Sequence, residues 1–274
     1  MLRTRLLLLG FVLLSAFALY RLPRSVVQNE AAEEPVRTGA AAPAAEAPAA
    51  EHGPAPVLSA ETVAAVARLR EKMNAELNPQ KKFIFADSLA EAFRSQRLYD
   101  SAAWYYEQMA ARFPGEEAYL KAADAYYDAF GYGAGPRDVY GQKARDFYQK
   151  ALEGNSGLLD AKVKMAMTHV SGPAPMTGIA MLQQVLSEDP AHELALFNMG
   201  LLSMTSGQYQ RAAERFTELL GHHPANEEAR LYLGLAYLEL GDRAKALVEL
   251  KIVAEGAGDP QLKATARQYI DSLN

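Results

Sequence analysis

Apolar residues recur at helical spacing through most of this chain. In "SAETVAAVARLREKMNAELNP", Val63, Val66, Met73 and Leu77 fall on one face, which predicts a single helix with Ser59 as its N-cap. At the far end Leu262, Ala266, Tyr269, Ile270 and Leu273 recur on one face and predict a closing helix. Between these two helices the pattern repeats itself. "GQYQRAAERF" (207–216) and "GDRAKALVEL" (241–250) stand 34 positions apart, with Gly207 answered by Gly241, Ala212 by Ala246 and Phe216 by Leu250. At the same interval Gly200 maps to Gly234 and Pro190 to Pro224. A recurrence at fixed spacing marks one supersecondary unit stacked on copies of itself.

Upstream copies are more divergent. "FADSLAEAFRSQRLYDSAAWYYEQMAARFP" offers Leu89, Ala90, Phe93, Ala102, Tyr106 and Pro114 at matching offsets. "KVKMAMTHVSGPAPMTGIAMLQQVLSEDP" has Gly178 where an Ala is usual, but it lies in register one period earlier. "EAYLKAADAYYDAFGYGAGPRDVYGQKARDFYQKALEGN" fits if about eight residues are inserted as a loop around Gly131–Val139. In these positions the chain resembles the tetratricopeptide-repeat (TPR) family, W-x2-L-G-x2-Y…A-x3-F…P, over residues 83–260. The resemblance implies an all-α, right-handed solenoid of about five helix-turn-helix repeats, at 83–116, 117–158, 159–192, 193–226 and 227–260. An N-terminal helix in 57–82 and a capping helix in 261–274 would close its ends. Small residues at Gly200, Gly234, Ala212 and Ala246 would let paired helices approach closely, and Tyr106, Phe216 and Leu250 would fill the space between repeats. Asp242 is placed to cap its helix.

The family resemblance also implies a concave groove lined by first helices that binds protein or peptide segments. Its groove positions fall on Leu194, Phe197, Leu201, Met204, Leu231, Leu235 and Leu238 in the last two repeats. In earlier repeats they fall on Asp87, Glu91, Arg94, Lys121, Asp128 and Asp160. Family members that clamp a C-terminal carboxylate use Lys and Asn where Asp87 and Glu91 stand, and two acids would repel that group. The apolar half suits an amphipathic helix or an extended apolar segment. It would otherwise be filled by the chain's own capping helix or by tighter superhelix packing, or pair with a second copy in a homo-oligomer.

Composition agrees with helix: half of the residues are apolar, with Ala, Leu and Tyr prominent and β-branched residues sparse. Net charge is −5, unevenly spread. Residues 1–26 carry only Arg3, Arg5, Arg21 and Arg24, leaving 24 basic and 33 acidic residues elsewhere. An acidic body argues against nucleic acid as partner. With no cysteine, disulfides, thiol nucleophiles and Cys-based zinc sites are excluded.

The uncharged run Leu6–Tyr20 between arginines predicts a single-pass transmembrane signal anchor in 1–24. Snorkelling of Arg5 and Arg21 would cover the deficit in length. A signal peptide cleaved after Ala16-Phe17-Ala18 is the alternative. Either way the body is exported, which points to the periplasmic side of a bacterial envelope. Residues 25–56, rich in Ala, Pro and Glu, are expected to form a disordered linker.

No catalytic pattern emerges. "GYGAGP" lacks the flanks of a phosphate loop. Glu218 with His222-His223 is a minimal metal constellation better explained as a turn. His169 falls within a first helix and is expected to be packed. Nine of the fourteen Tyr and the only Trp, Trp104, crowd into residues 99–148, and are expected to supply core. The sequence therefore predicts a membrane-anchored, non-enzymatic scaffold or adaptor with no cofactor or metal. A self-assembling structural protein and an enzyme on a helical scaffold are the alternatives.

Overall fold

A computed structural model describes residues 60–172 and 174–273. The described residues form twelve α-helices and no strand: α1 (Ala60–Ala75), α2 (Pro79–Ser95), α3 (Tyr99–Arg112), α4 (Glu116–Tyr132), α5 (Arg137–Gly154), α6 (Leu159–Val170), α7 (Pro175–Glu188), α8 (Glu193–Thr205), α9 (Tyr209–His222), α10 (Glu227–Glu239), α11 (Arg243–Gly256) and α12 (Pro260–Ser272). The expected anchor, linker and Ser59 cap lie outside the described residues. Among the described residues no helix is long and apolar enough to cross a membrane.

Local chemistry sets where these helices start and stop. Asn78, His192, Asn226, Asp242 and Asp259 each accept a backbone N–H of the first turn from their side chains, satisfying a donor the helix cannot. Pro114, Pro190 and Pro224 each fall two residues beyond a second helix, where the chain must leave the helical path. Gly207 and Gly241 end first helices in the left-handed region, at φ 71° and 77°. There Gln208 N–H bonds back to Ser203 C=O and Asp242 N–H to Tyr237 C=O. Arg97 holds the same place after α2 at φ 60°, with Leu98 N–H on Phe93 C=O, and it is the one non-glycine among the described residues to do so.

Five helix pairs result, α2/α3 through α10/α11, with α1 before them and α12 after. Each helix packs on the next, and α4, α6, α8, α10 and α12 also touch one another in succession. The second helices α3, α5, α7, α9 and α11 make no comparable contact with each other. First helices thus form a continuous layer. The apolar core follows the stack as four clusters, the largest running from Val66 to Ala161 and holding most of the aromatics. Tyr105, Tyr106, Tyr126 and Tyr148 are buried in or against it, as the core reading of this segment expected.

Three details depart from the sequence expectation. In α1 only Val66, Leu69 and Met73 face the core, while Val63 and Leu77 are exposed, at 51% and 90%. The helix stops at Ala75 and packs mainly on α2, with Arg70 reaching the Tyr105 hydroxyl of α3 at 2.6 Å, so a narrow stripe suffices. Tyr269 of α12 likewise points outward, leaving Leu262, Ala266, Ile270 and Leu273 to pack. The residues inserted in the second repeat do not form a loop. They lengthen both helices: α4 has 17 residues against 13 in α10, and α5 has 18 against 14 in α11. Only residues 133–136 connect them.

Small residues decide how closely each pair approaches. A Cβ on Gly178 would lie 2.3 Å from the backbone oxygen of Ala166, so α7 presses directly on the main chain of α6. On Gly200 it would meet the Phe216 ring at 2.6 Å, and on Gly234 it would meet Leu250 Cγ at 2.9 Å. Replacing a helical Gly by Ala ordinarily stabilises by about 1 kcal/mol. The obstacle here grows from a flexible side chain to a ring held by its neighbours to fixed backbone. Denaturant titration should therefore rank the variants. Gly234→Ala should be near neutral, Gly200→Ala destabilising, and Gly178→Ala the worst, by about 1–3 kcal/mol as for other overpacked sites. Equal, stabilising effects at all three would refute the close approach. Separately, Arg97→Gly should stabilise by about 1 kcal/mol by relieving the left-handed conformation; a loss of stability in the same titration would count against that turn.

Candidate functional site

The layer of first helices has two chemically distinct halves. In the N-terminal half, carboxylates tie consecutive helices together. Asp87 on α2 accepts a hydrogen bond from the Tyr106 hydroxyl of α3 at 2.9 Å and from Lys121 Nζ of α4 at 2.5 Å. Asp124 on α4 repeats the arrangement with Tyr148 of α5 at 2.6 Å and Lys164 of α6 at 2.8 Å. Glu107 on α3 binds the Tyr126 hydroxyl of α4 and Lys143 Nζ of α5, the latter at 2.8 Å. Arg94 reaches from α2 to Asp128 on α4 at 2.8 Å. Burial, and then the adjoining carboxylate, pushes the Tyr106, Tyr126 and Tyr148 hydroxyls well above the usual tyrosine range. They therefore remain protonated donors.

Of the polar residues expected in the groove, the structure brings together Asp87 with Lys121 and Arg94 with Asp128, and sets Glu91 3.6 Å from Arg94. Asp160 stands apart from this group. Asp124 and Lys164 were missed because the lengthened α4 and α5 stretch the spacing between them, and the tyrosine hydroxyl bonds because a packing position fixes the burial of a ring but not the acceptor its hydroxyl reaches.

In the C-terminal half the first helices turn apolar. Leu194, Phe197, Leu201 and Met204 are half-buried along α8, and Leu235 and Leu238 along α10. Phe197 meets Phe216 and Tyr232 edge-on, at 6.0 and 5.7 Å between ring centroids. Leu231 is buried at 6% exposure and shares a cluster with Leu250, Val253 and Ala266, against which Leu238 also packs. The capping helix α12 therefore belongs to the same cluster as Leu231 and Leu238, while the α8 residues pack against the neighbouring clusters at 163–195 and 196–236.

A cleft of about 470 Å³ opens where α6, α8 and α10 begin, lined by Asp160, Asp189, His192, Glu193, Leu194, Phe197, His223, Asn226 and Glu228 among others. His192 Nδ1 accepts the Ala195 N–H, so its Nε2 carries the proton that faces Asp160 at 3.4 Å. His223 Nε2 lies 2.8 Å from the Ala191 carbonyl, and Asn226 donates to Glu193 at 2.8 Å. Larger clefts of about 800 and 630 Å³ separate α7 from α9 and α9 from α11, on the side of the second helices. The suggested Glu218–His222 pair is not formed: Glu218 engages Arg215 at 3.1 Å and His222 is exposed. Among the described residues no group of three or more His, Asp and Glu is placed to hold a metal ion. Burial, and secondarily Arg145, lowers the pKa of His169, which keeps that imidazole neutral.

Residues 203–269 match the tetratricopeptide repeat family model. No curated protein matches the chain in sequence. Among solved structures, a tetratricopeptide repeat protein from Parabacteroides merdae is 16% identical with a TM-score of 0.58, covering 78% of this chain and 80% of its own. A thermophilic TPR protein of Thermus thermophilus is 17% identical with a TM-score of 0.51, covering 70% of this chain and 99% of its own. MamA protein is 20% identical with a TM-score of 0.46, over 63% of this chain and 90% of its own. At such identities the first two establish fold and nothing more. Residues 203–269 thus resemble the tetratricopeptide repeat in sequence, and the helix pairs of the body have the tetratricopeptide-repeat fold.

Proposed function

We propose that the chain is a non-catalytic scaffold or adaptor that holds partner polypeptides along its first helices. The observation that carries this is the half-buried apolar face of α8, Leu194, Phe197, Leu201 and Met204, with Leu235 and Leu238 on α10. Side chains that are only partly covered retain apolar area to bury against a partner segment, at about 25 cal/mol per Å². Helix pairs supply such faces without catalytic groups, and an amphipathic helix laid along them would use anchors at i, i+3 or i+4, and i+7. The N-terminal half holds its own ladder of matched charges and is the stiffer end on this reading.

The proposal includes the anchor. The run Leu6–Tyr20 between Arg5 and Arg21 supports a single-pass helix, and the acidic body would then stand on the periplasmic side, tethered by residues 25–56. Retention of this segment is read from the mass of the mature protein: an intact N-terminus is expected, and a start at Leu19 would replace the anchor by a cleaved signal.

The binding face is tested by placing a photo-crosslinking residue at Leu201 of the full chain in native membranes, with Val248 on the outer face of α11 as control. Adducts to other polypeptides at Leu201, abolished by Phe197→Glu and absent at Val248, are expected. Adducts only to a second copy, with mass rising with concentration in light scattering, would replace the adaptor by a self-assembling protein. No adduct at Leu201 would remove the groove.

A further inference from the structure

The two halves of the first-helix layer differ in how their carboxylates are neutralised. In the N-terminal half Asp87, Asp124 and Asp128 each have a Lys or Arg of the chain within 2.5–2.8 Å. In the cleft at the start of α6, α8 and α10 the acids Asp160, Glu193 and Glu228 have none: no Lys or Arg lines it. Their partners are imidazoles and an amide. His192 presents Nε2–H to Asp160, whose side chain is still 74% exposed. His223 sets Nε2 2.8 Å from the Ala191 carbonyl and Nδ1 3.5 Å from Glu193 Oε2. With Asp189, four carboxylates thus line the cleft beside two histidines and no Lys or Arg.

The same cleft has an apolar wall. Leu194 and Phe197 line it, and both belong to the face of α8 that continues through Leu201 and Met204. Acid beside aliphatic and aromatic surface matches a side chain with a long apolar stem and a cationic head, which is the build of Lys and Arg. We propose that the partner segment is a cationic amphipathic one. Its apolar side lies along Leu194, Phe197 and Leu201, and a Lys or Arg at its end enters the cleft to meet Asp160, Glu193 and Glu228. This rests on the reading of the first helices as the binding face and adds the chemistry of the occupant. Charge complementarity speeds encounter and sets orientation, so the segment docks with its basic end toward the helix starts.

The test uses the full-length chain and a fluorescein-labelled blocked peptide, Leu-Lys-Leu-Leu-Lys-Leu, against its counterpart with Glu in place of Lys, read by anisotropy at two salt concentrations. The Lys peptide should bind at least tenfold more tightly, with the difference shrinking as salt rises. The triple variant Asp160→Asn, Glu193→Gln, Glu228→Gln should weaken it at least tenfold. Glu228→Lys alone, at an exposed position, should do so in part, which guards against a folding defect in the triple variant. Removing three charges elsewhere, by Glu153→Gln, Glu239→Gln and Glu255→Gln, should change affinity less than twofold. Equal weakening by that control, equal binding of the Glu peptide, or no binding of the Lys peptide would each overturn the proposal. Binding of both peptides that is lost in Phe197→Glu would retain the groove while refuting the cationic occupant. Loss of the Leu201 adducts in membranes would instead refute the groove itself.

Discussion

The depth at which one helix of a pair sinks into the other governs this body. Where a second helix brings Phe216 or Leu250 to its partner, the partner must offer no side chain, and Gly200 and Gly234 offer none. At Gly178 the roles reverse and the second helix supplies the gap, so that it rests on the Ala166 carbonyl. Each close approach fixes the pair as a rigid unit. The Phe216 ring then has a second face free to stack on Tyr232 of the next pair, 5.7 Å away and tilted by 18°. Contact within a repeat and contact between repeats therefore pass through the same side chain. A disturbance at the glycine reaches the neighbouring repeat but has no direct path farther along the stack.

Polar interactions divide the stack differently. From α2 to α6 the helices are joined by carboxylates that each hold a tyrosine hydroxyl and a lysine from the two helices that follow. These ion pairs are partly exposed and individually contribute little to stability, on the order of 1 kcal/mol or less. Their effect is on geometry, because a buried tyrosine whose hydroxyl has one available acceptor fixes the rotation of its helix. Beyond α6 no Lys or Arg bridges successive first helices among the described ion pairs. Asp160–His192 spans that junction instead. The apolar first-helix face and the acid-lined cleft without Lys or Arg both begin there, so the change in packing chemistry coincides with the change in surface chemistry.

Lengthening of α4 and α5 shows how a repeat absorbs extra residues. Added chain between two packed helices either loops out or extends both helices by about a turn. Extension keeps every backbone group bonded and lets the aromatic residues of this segment pack, whereas a loop would leave its polar backbone to water. Gly133, whose Cβ would collide with Asp100 and the Ala129 carbonyl, permits the short connection.

The stacking of helix pairs was written in the sequence, because the 34-residue recurrence, the prolines after second helices and the left-handed glycines act locally and survive divergence. Asp242 as a cap and the burial of Tyr106, Tyr148 and Phe216 were legible for the same reason: each follows from position within a single repeat. What the sequence did not carry was any relation that depends on two repeats at once. Asp124 meets Lys164 across a spacing that the longer second repeat has stretched, and Asp160 meets His192 across one that no motif encodes. The fate of Leu231 is of this kind: it is apolar at a groove position, yet only the approach of α11 and the cluster shared with α12 bury it. Side-chain type and spacing determine helices and their pairing; which faces remain open is decided by the neighbours that tertiary packing brings against them.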